Sequence, residues 1–243
     1  MVAYPATYPV VTVNAWLSTG LAKGAMLELD DVGFRYAKGQ DILHGVSFRL
    51  QRGAFSFLTG PSGAGKTTLL RLLFLALRPS HGRIRLFGED VTRLPRSALP
   101  PVRRRVGVVF QEFRLLDHLS TFDNVALPLR VSGQAPSSYS RDVMDLLDWV
   151  GLKKQAHAFP AVLSGGEKQR AAIARAVIAK PELLLADEPT GNVDPVLARR
   201  LIHLFAELNR LGTTVLLATH DQGLFKQVRA PVLHLQDGTL RML

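Results

Sequence analysis

Gly60-Pro61-Ser62-Gly63-Ala64-Gly65-Lys66-Thr67 decides how this chain is read, because it fits the pattern G-x-x-x-x-G-K-[ST] at every position. The apolar run Phe55-Ser56-Phe57-Leu58-Thr59 before it reads as a buried strand. Thr68-Leu69-Leu70-Arg71-Leu72-Leu73 after it reads as the start of a helix. With average residue usage, a chance match in a chain this long is on the order of one in a hundred, before that context is counted. Glycines let backbone N–H groups turn inward around phosphate oxygens, where a bulky side chain would block the anion. The helix that follows offers unpaired N–H groups and the positive end of its dipole. Lys66 is placed to reach the β- and γ-phosphates, and the Thr67 hydroxyl to hold Mg²⁺. The loop predicts a nucleoside triphosphate as ligand.

Three further apolar runs stop abruptly at a polar residue. Val106–Phe110 stops at Gln111, Leu183–Ala186 at Asp187-Glu188, and Val215–Thr219 at His220. Runs of this kind suit strands of a parallel sheet covered on both faces, in which ligands bind beyond the carboxyl ends of the strands. Gln111, Asp187, Glu188 and His220 are therefore expected to converge on the nucleotide that Lys66 holds. Singly, each has a plainer reading: a loop-surface Gln, a structural His, a carboxylate pair capping a helix. Placed together at matching strand ends, they read as a site. Asp187 would hold the metal, directly or through water, and Gln111 would complete the metal shell and sense the phosphate. Glu188 would act as general base toward the attacking water, a role typically worth about 10²–10⁴ in rate. His220 would contact the γ-phosphate or orient that water.

Leu163-Ser164-Gly165-Gly166-Glu167-Lys168-Gln169-Arg170 is the second strong signal. Ser164 with Glu167 spells a capping box, so a helix should begin here, run through Ala171–Ala176 and stop before Pro181. Two glycines beside the cap open the backbone to a close anion. The triphosphate already has its loop at Gly60–Thr67. A second grip points to a second nucleotide or to one shared with another chain.

Together, GPSGAGKT, LSGGEKQR and LLLADEPTGNVD resemble the ABC-type ATPases in sequence, order and spacing, and the resemblance covers Met26 to Leu243. It implies an α/β fold: a P-loop NTPase core with a mostly parallel sheet, an N-terminal antiparallel β subdomain, and an inserted helical subdomain over roughly 112–180. It further implies ATP and Mg²⁺ as cofactors, bound along Gly60–Thr68, and an ATP-dependent head-to-tail homodimer. Ser164, Gly165, Gly166 and Glu167 would then contact ATP held by the partner copy. Asn192 and Asp194 would lie on the loop that communicates across the dimer. Tyr36 matches the aromatic that stacks on adenine, although alone it is an aromatic ending a strand. Val193 stands where the family often has Leu, a mild departure.

Glu112–Ser120 and Phe122–Leu129 are similar to the cell-division members of that family, and less so to its lipoprotein-release and macrolide-efflux members. This implies a peripheral subunit on the cytoplasmic face of the inner membrane, with an integral membrane partner of the FtsX type, signalling to cell-wall hydrolases. The ending Asp237–Leu240 leaves no room for the C-terminal regulatory domains of many importers. Members acting on DNA carry a long coiled coil between the two halves, and translation-linked ones usually carry two cassettes. Neither feature is present, so no specific nucleic-acid partner is expected. A non-hydrolysing scaffold is the remaining rival, and the intact Glu188 and His220 argue against it.

The whole chain agrees with these expectations. Its 243 residues are 47% hydrophobic and 21% charged, and no apolar run approaches the ~20 residues that span a bilayer. There are no cysteines, which excludes a disulfide framework, thiol catalysis and cysteine metal sites. The net charge of +10 is scattered, its densest run being Arg103-Arg104-Arg105, and reads as a solvated basic surface. Residues 1–25 carry one charge, Lys23, and no helical period, so they read as a disordered or non-native extension.

Overall fold

The computed structural model describes residues 24–243 apart from Lys38, Asn192 and Lys226. The expected extension therefore lies, through residue 23, outside the described residues, while Ala25 already pairs with Gln51. In chain order the elements are β1 (Ala25–Arg35), β2 (Asp41–Gln51), β3 (Phe55–Thr59), α1 (Lys66–Leu73), β4 (His81–Leu86) and β5 (Glu89–Asp90). Next come α2 (Leu99–Arg104), β6 (Val106–Val109), α3 (Thr121–Val131), α4 (Pro136–Trp149) and α5 (Gly165–Val177). The chain closes with β7 (Leu183–Asp187), α6 (Pro195–Arg210), β8 (Thr214–Ala218), α7 (Gln222–Phe225), β9 (Val232–Gln236) and β10 (Thr239–Met242).

The strands form two sheets. One is antiparallel, in the order β2-β1-β4-β5. It is not N-terminal in sequence alone, because β4 and β5 come from beyond the phosphate loop. The other has the order β10-β9-β3-β8-β7-β6, parallel except for the edge strand β10. Every residue of β3, β7 and β8 is buried, which is why these stretches are apolar without alternation.

Side chains nevertheless alternate between two cores, as the strand period of two requires. Leu183 and Leu185 pack with Leu69, Leu72 and Leu73 of α1 and with Leu27 and Phe48 of the antiparallel sheet. Leu184 and Ala186 face the other way, onto Ile173 of α5 and Ile202 and Phe205 of α6. Each fully buried Leu or Phe contributes roughly 1.5–3 kcal/mol, so both faces of the sheet are held. A third core joins Val125 and Leu129 of α3, Val143 and Leu147 of α4, and Ala171 and Ala174 of α5. Helix α5 thus packs Ala171 and Ala174 on the helical layer and Ile173, Ala176 and Val177 on the sheet. It lies so close to β6 that a Cβ on Gly107 would collide with the Ala176 carbonyl oxygen.

The basic run 103–105 is not simply solvated. Arg105 pairs with Glu182 at 2.6 Å and covers the Phe87 ring, and Arg103 donates to the Leu75 carbonyl at 2.7 Å. Among the described residues, no helix is long and apolar enough to cross a membrane.

Candidate active site

The phosphate loop joins β3 to α1 through three glycines in the left-handed half of backbone space, at φ 148° for Gly60, 80° for Gly63 and 101° for Gly65. Gly60 is needed twice over, since a Cβ there would also strike the Leu235 carbonyl oxygen. At Gly63 a Cβ would meet nothing within 4 Å, so only the backbone angle calls for glycine. The Lys66 ammonium folds back over the loop and donates to the carbonyls of Gly60 (2.8 Å) and Pro61 (3.0 Å).

This loop floors a cavity of about 670 Å³ whose walls include Gln111, Asp187, Glu188 and His220, with Ile42 at its edge. The four residues expected at strand ends do converge on Lys66. β7 and β8 place three of them: Asp187 closes β7 opposite Ala218 of β8, and His220 follows β8 by two residues. Asp187 accepts a hydrogen bond from the Thr67 hydroxyl at 2.7 Å. Its burial pushes the carboxyl pKa up, with the neighbouring Glu188 charge adding to this, while the Thr67 hydrogen bond pulls the other way.

Glu188 adopts φ 47°, a conformation that costs a residue with a Cβ roughly 1–2 kcal/mol. Its N–H donates to the Ala218 carbonyl at 2.9 Å, so the turn is tied to the neighbouring strand. The strained turn brings the Glu188 carboxylate within 2.8 Å of His220 Nδ1. The plainer reading of Asp187-Glu188 as a helix cap does not hold. The next helix, α6, is capped by Asp194, which accepts from the N–H groups of Val196 and Leu197.

The second grip lies elsewhere. Ser164 caps α5 with both halves of the capping box in place, and Glu167 Oε2 accepts from the Ser164 N–H at 2.8 Å. That backbone hydrogen bond is the main reason the Glu167 pKa is lowered. Ser164, Gly165, Gly166 and Glu167 do not line the Lys66 cavity. A Cβ on Gly165 would meet nothing within 4 Å, so nothing among the described residues demands glycine there. Tyr36, just past β1, is also outside the cavity wall; its hydroxyl lies 3.3 Å from Thr68 Oγ1 and its ring packs edge-on against Phe34. Asn192 lies outside the described residues.

A family model described as ABC transporter matches residues 43–191, from β2 to just past the Asp187-Glu188 turn. The chain belongs to the ABC transporter family. It is an ABC-type ATPase, and its relatives narrow the branch. It is 47% identical over 215 residues to the cell division ATP-binding protein FtsE of Escherichia coli (strain K12), covering 88% of this chain and 97% of that protein. FtsE of Bacillus subtilis (strain 168) is 40% identical over 215 residues, with 88% and 94% covered. A solved dimeric structure of the ATP-binding cassette MJ0796 in a post-hydrolysis state, bound to ADP and Pi, superposes with a TM-score of 0.85 at 31% identity. That match covers 90% of this chain and 98% of that one.

Two residues of this ABC ATPase escaped the sequence reading, both on α5. Gln169 is fully buried, and its side-chain N–H donates at 2.8 Å to the carbonyl of Pro189, next to Glu188. Arg175 is largely buried and donates to the carbonyls of Arg114 (2.7 Å) and Phe113 (2.8 Å), just past Gln111. Arg175 stands out in sequence only as a polar residue between Ala174 and Ala176, and Gln169, between Lys168 and Arg170, does not stand out at all. In chemical terms the cavity offers a cation, three hydroxyls, two carboxylates, an amide and an imidazole around one anion-binding loop. Among the described residues no group of three or more His, Cys, Asp or Glu could enclose a metal ion. Thr67, Gln111 and Asp187 instead offer an incomplete, all-oxygen set, which suits a magnesium ion that completes its shell with substrate phosphates and water.

Proposed function

We propose that the chain binds MgATP between two head-to-tail copies and uses its hydrolysis to drive an integral membrane partner of the FtsX type. That partner would control cell-wall hydrolysis during division, from the cytoplasmic face of the inner membrane. The observation that carries the reading is a separation within one chain. Lys66, Asp187, Glu188 and His220 share a cavity, while the glycine-flanked cap at Ser164–Glu167 does not line it. A second copy supplies what each cavity lacks. The dimeric cassette with ADP and Pi and the FtsE relatives support this reading.

In this mechanism Lys66 exchanges the Gly60 and Pro61 carbonyls for phosphate oxygens, trading neutral acceptors for charged ones. Thr67, Gln111 and Asp187 would hold Mg²⁺, which when bound would neutralise charge on the phosphates. Glu188 takes a proton from water as the water oxygen bonds to the γ-phosphorus. The bond from that phosphorus to the bridging oxygen breaks, and ADP leaves with the electron pair. His220 holds the Glu188 carboxylate through Nδ1 and keeps its other ring nitrogen for the γ-phosphate or the water. Tyr36 stacks on adenine. Asp194, which caps α6, lies at the dimer seam.

The test is to express Glu188→Gln in the host, add ATP, and identify the membrane protein that co-purifies. A permease with four predicted spans and one extracytoplasmic domain between the first two supports the cell-division role. Lipoprotein-release or macrolide-efflux components instead would keep the ATPase mechanism and replace what it drives.

A further inference from the structure

The segment after β6 is a thin wall. On one side, Phe110, Gln111 and Arg114 line a narrow cleft shared with Thr67 and Asp187. On the other, Phe110 and Arg114 line a groove of about 540 Å³ with Arg175, Leu127 and Val131. Gln111 itself is exposed and makes no side-chain hydrogen bond among the described residues, so its position depends on the backbone around it. That backbone is unusual: Phe113 and Arg114 are consecutive non-glycine residues at φ 57° and 51°. Such a pair persists only where the surroundings hold it.

The Arg175 guanidinium is what holds it. One planar group donates from Nη1 to the Arg114 carbonyl and from Nη2 to the Phe113 carbonyl, at 2.7 and 2.8 Å. Among the described residues it has no carboxylate partner, so a mostly buried cation is satisfied by these carbonyls. On the wall itself, the Arg114 guanidinium covers the Phe110 ring at 4.3 Å, and Phe110 packs edge-on against Phe74. At the far end, the buried Asn124 side chain accepts from the Leu116 N–H and donates to the Leu116 carbonyl. The wall is therefore fixed at both ends, and the end beside Gln111 is fixed from α5.

We infer that Arg175 is a positioning residue for the nucleotide site: its two-carbonyl fork sets the wall so that Gln111 meets the metal and γ-phosphate. The inference rests on the assignment of Gln111 in the proposed function. It adds a consequence, because α5 starts at Ser164. The helix that grips the partner's nucleotide also holds Gln111 against its own.

The test uses the full chain with a non-hydrolysable ATP analogue. Arg175→Lys keeps the charge but loses the rigid planar fork. Its expected effects are hydrogen exchange at the Phe113 and Arg114 amides faster by about tenfold, and an Mg²⁺-dependent gain in analogue affinity cut by about fivefold. Affinity in EDTA should stay within about twofold. Gln111→Ala, measured alongside, should lose the same Mg²⁺-dependent gain without the change in exchange. If Gln111→Ala loses the gain and Arg175→Lys keeps it, the positioning role is wrong and the Gln111 assignment stands. If neither variant changes the Mg²⁺ dependence, the Gln111 assignment falls and the inference with it. Affinity in EDTA falling as far as affinity with Mg²⁺ would mark Arg175 as a general packing residue. Should Arg175→Lys not fold, the native chain still decides. The amides of Phe113 and Arg114 must exchange slowly without nucleotide, and unprotected rates there would overturn the inference.

Discussion

The Glu188 carboxylate lies 2.8 Å from Nδ1 of His220, although the two residues stand 32 positions apart and leave different strands. The pairing depends on the left-handed turn at Glu188, whose N–H is tied to Ala218 at the end of the His220 strand. The contact with His220 favours one orientation of the carboxylate before substrate arrives. Glu188→Gln keeps the shape and the hydrogen bond to His220 but removes the basic oxygen. We expect turnover to fall by about 10²–10⁴ while ATP still binds. Light scattering should show dimers that persist with ATP, and turnover near that of the native chain would remove Glu188 from the role of base.

Lys66→Ala tests the floor of the cavity. Charge-assisted hydrogen bonds contribute about 1.5–3 kcal/mol each, and Lys66 has two loop carbonyls to exchange for phosphate oxygens. ATP affinity by titration calorimetry should drop by about 100-fold or more. Unchanged affinity would show that the loop amides alone carry binding.

Asp187→Asn separates stability from chemistry. Burial raises the folded-state pKa of Asp187 above its unfolded value, so the folded chain holds this proton more tightly. Stability from this group is full below the ordinary carboxylate range and declines as pH rises through the raised pKa. An uncharged Asn keeps an oxygen for the Thr67 hydroxyl and avoids that decline. At neutral pH the nucleotide-free variant should melt higher, by about 2–4 °C if the gain is about 1 kcal/mol. The difference should shrink on acidification into the carboxylate range. Mg²⁺-dependent hydrolysis should be lost at every pH, and a lower melting temperature at neutral pH would contradict the burial argument.

Ser164→Ala distinguishes a cap from a grip. Losing the cap of α5 should cost about 1 kcal/mol, read as a lower melting temperature. Because Ser164 lies outside the cavity that holds Lys66, ATP binding by a single copy should be unchanged. Dimerisation on ATP, measured in the Glu188→Gln background, should weaken sharply. Dimers as firm as with Ser164 would leave the residue a cap and nothing more.

The site was legible in the sequence to the extent that its parts are local. A phosphate loop needs glycines at set offsets because backbone angles near +80° to +148° are needed there, and spacing records that directly. The capping box is a contact between residues three apart, so Ser164 and Glu167 declare it without help from the fold. That Gln111, Asp187, Glu188 and His220 line one cavity is legible because each stands at or just past a strand end, and parallel strands deliver their ends to one edge. Arg175 and Gln169 were not found. Their partners are carbonyls 61, 62 and 20 residues away, and a carbonyl carries no side-chain signature.

Residue order alone determined the anion-binding loop, the capped helix and the buried parallel strands, because glycine angles, capping and hydrophobic period act over a few neighbouring positions. It also determined the family, through motifs whose spacing is itself a local property. Tertiary structure decided that Glu188 meets His220, that Thr67 meets Asp187, and that the Ser164 cap stands apart from the cavity. It also decided that one helix, α5, packs on both the sheet and the helical layer while its arginine holds the wall beside Gln111. These relationships join residues far apart in the chain. Strand register and helix packing set them, and no short stretch of sequence contains either.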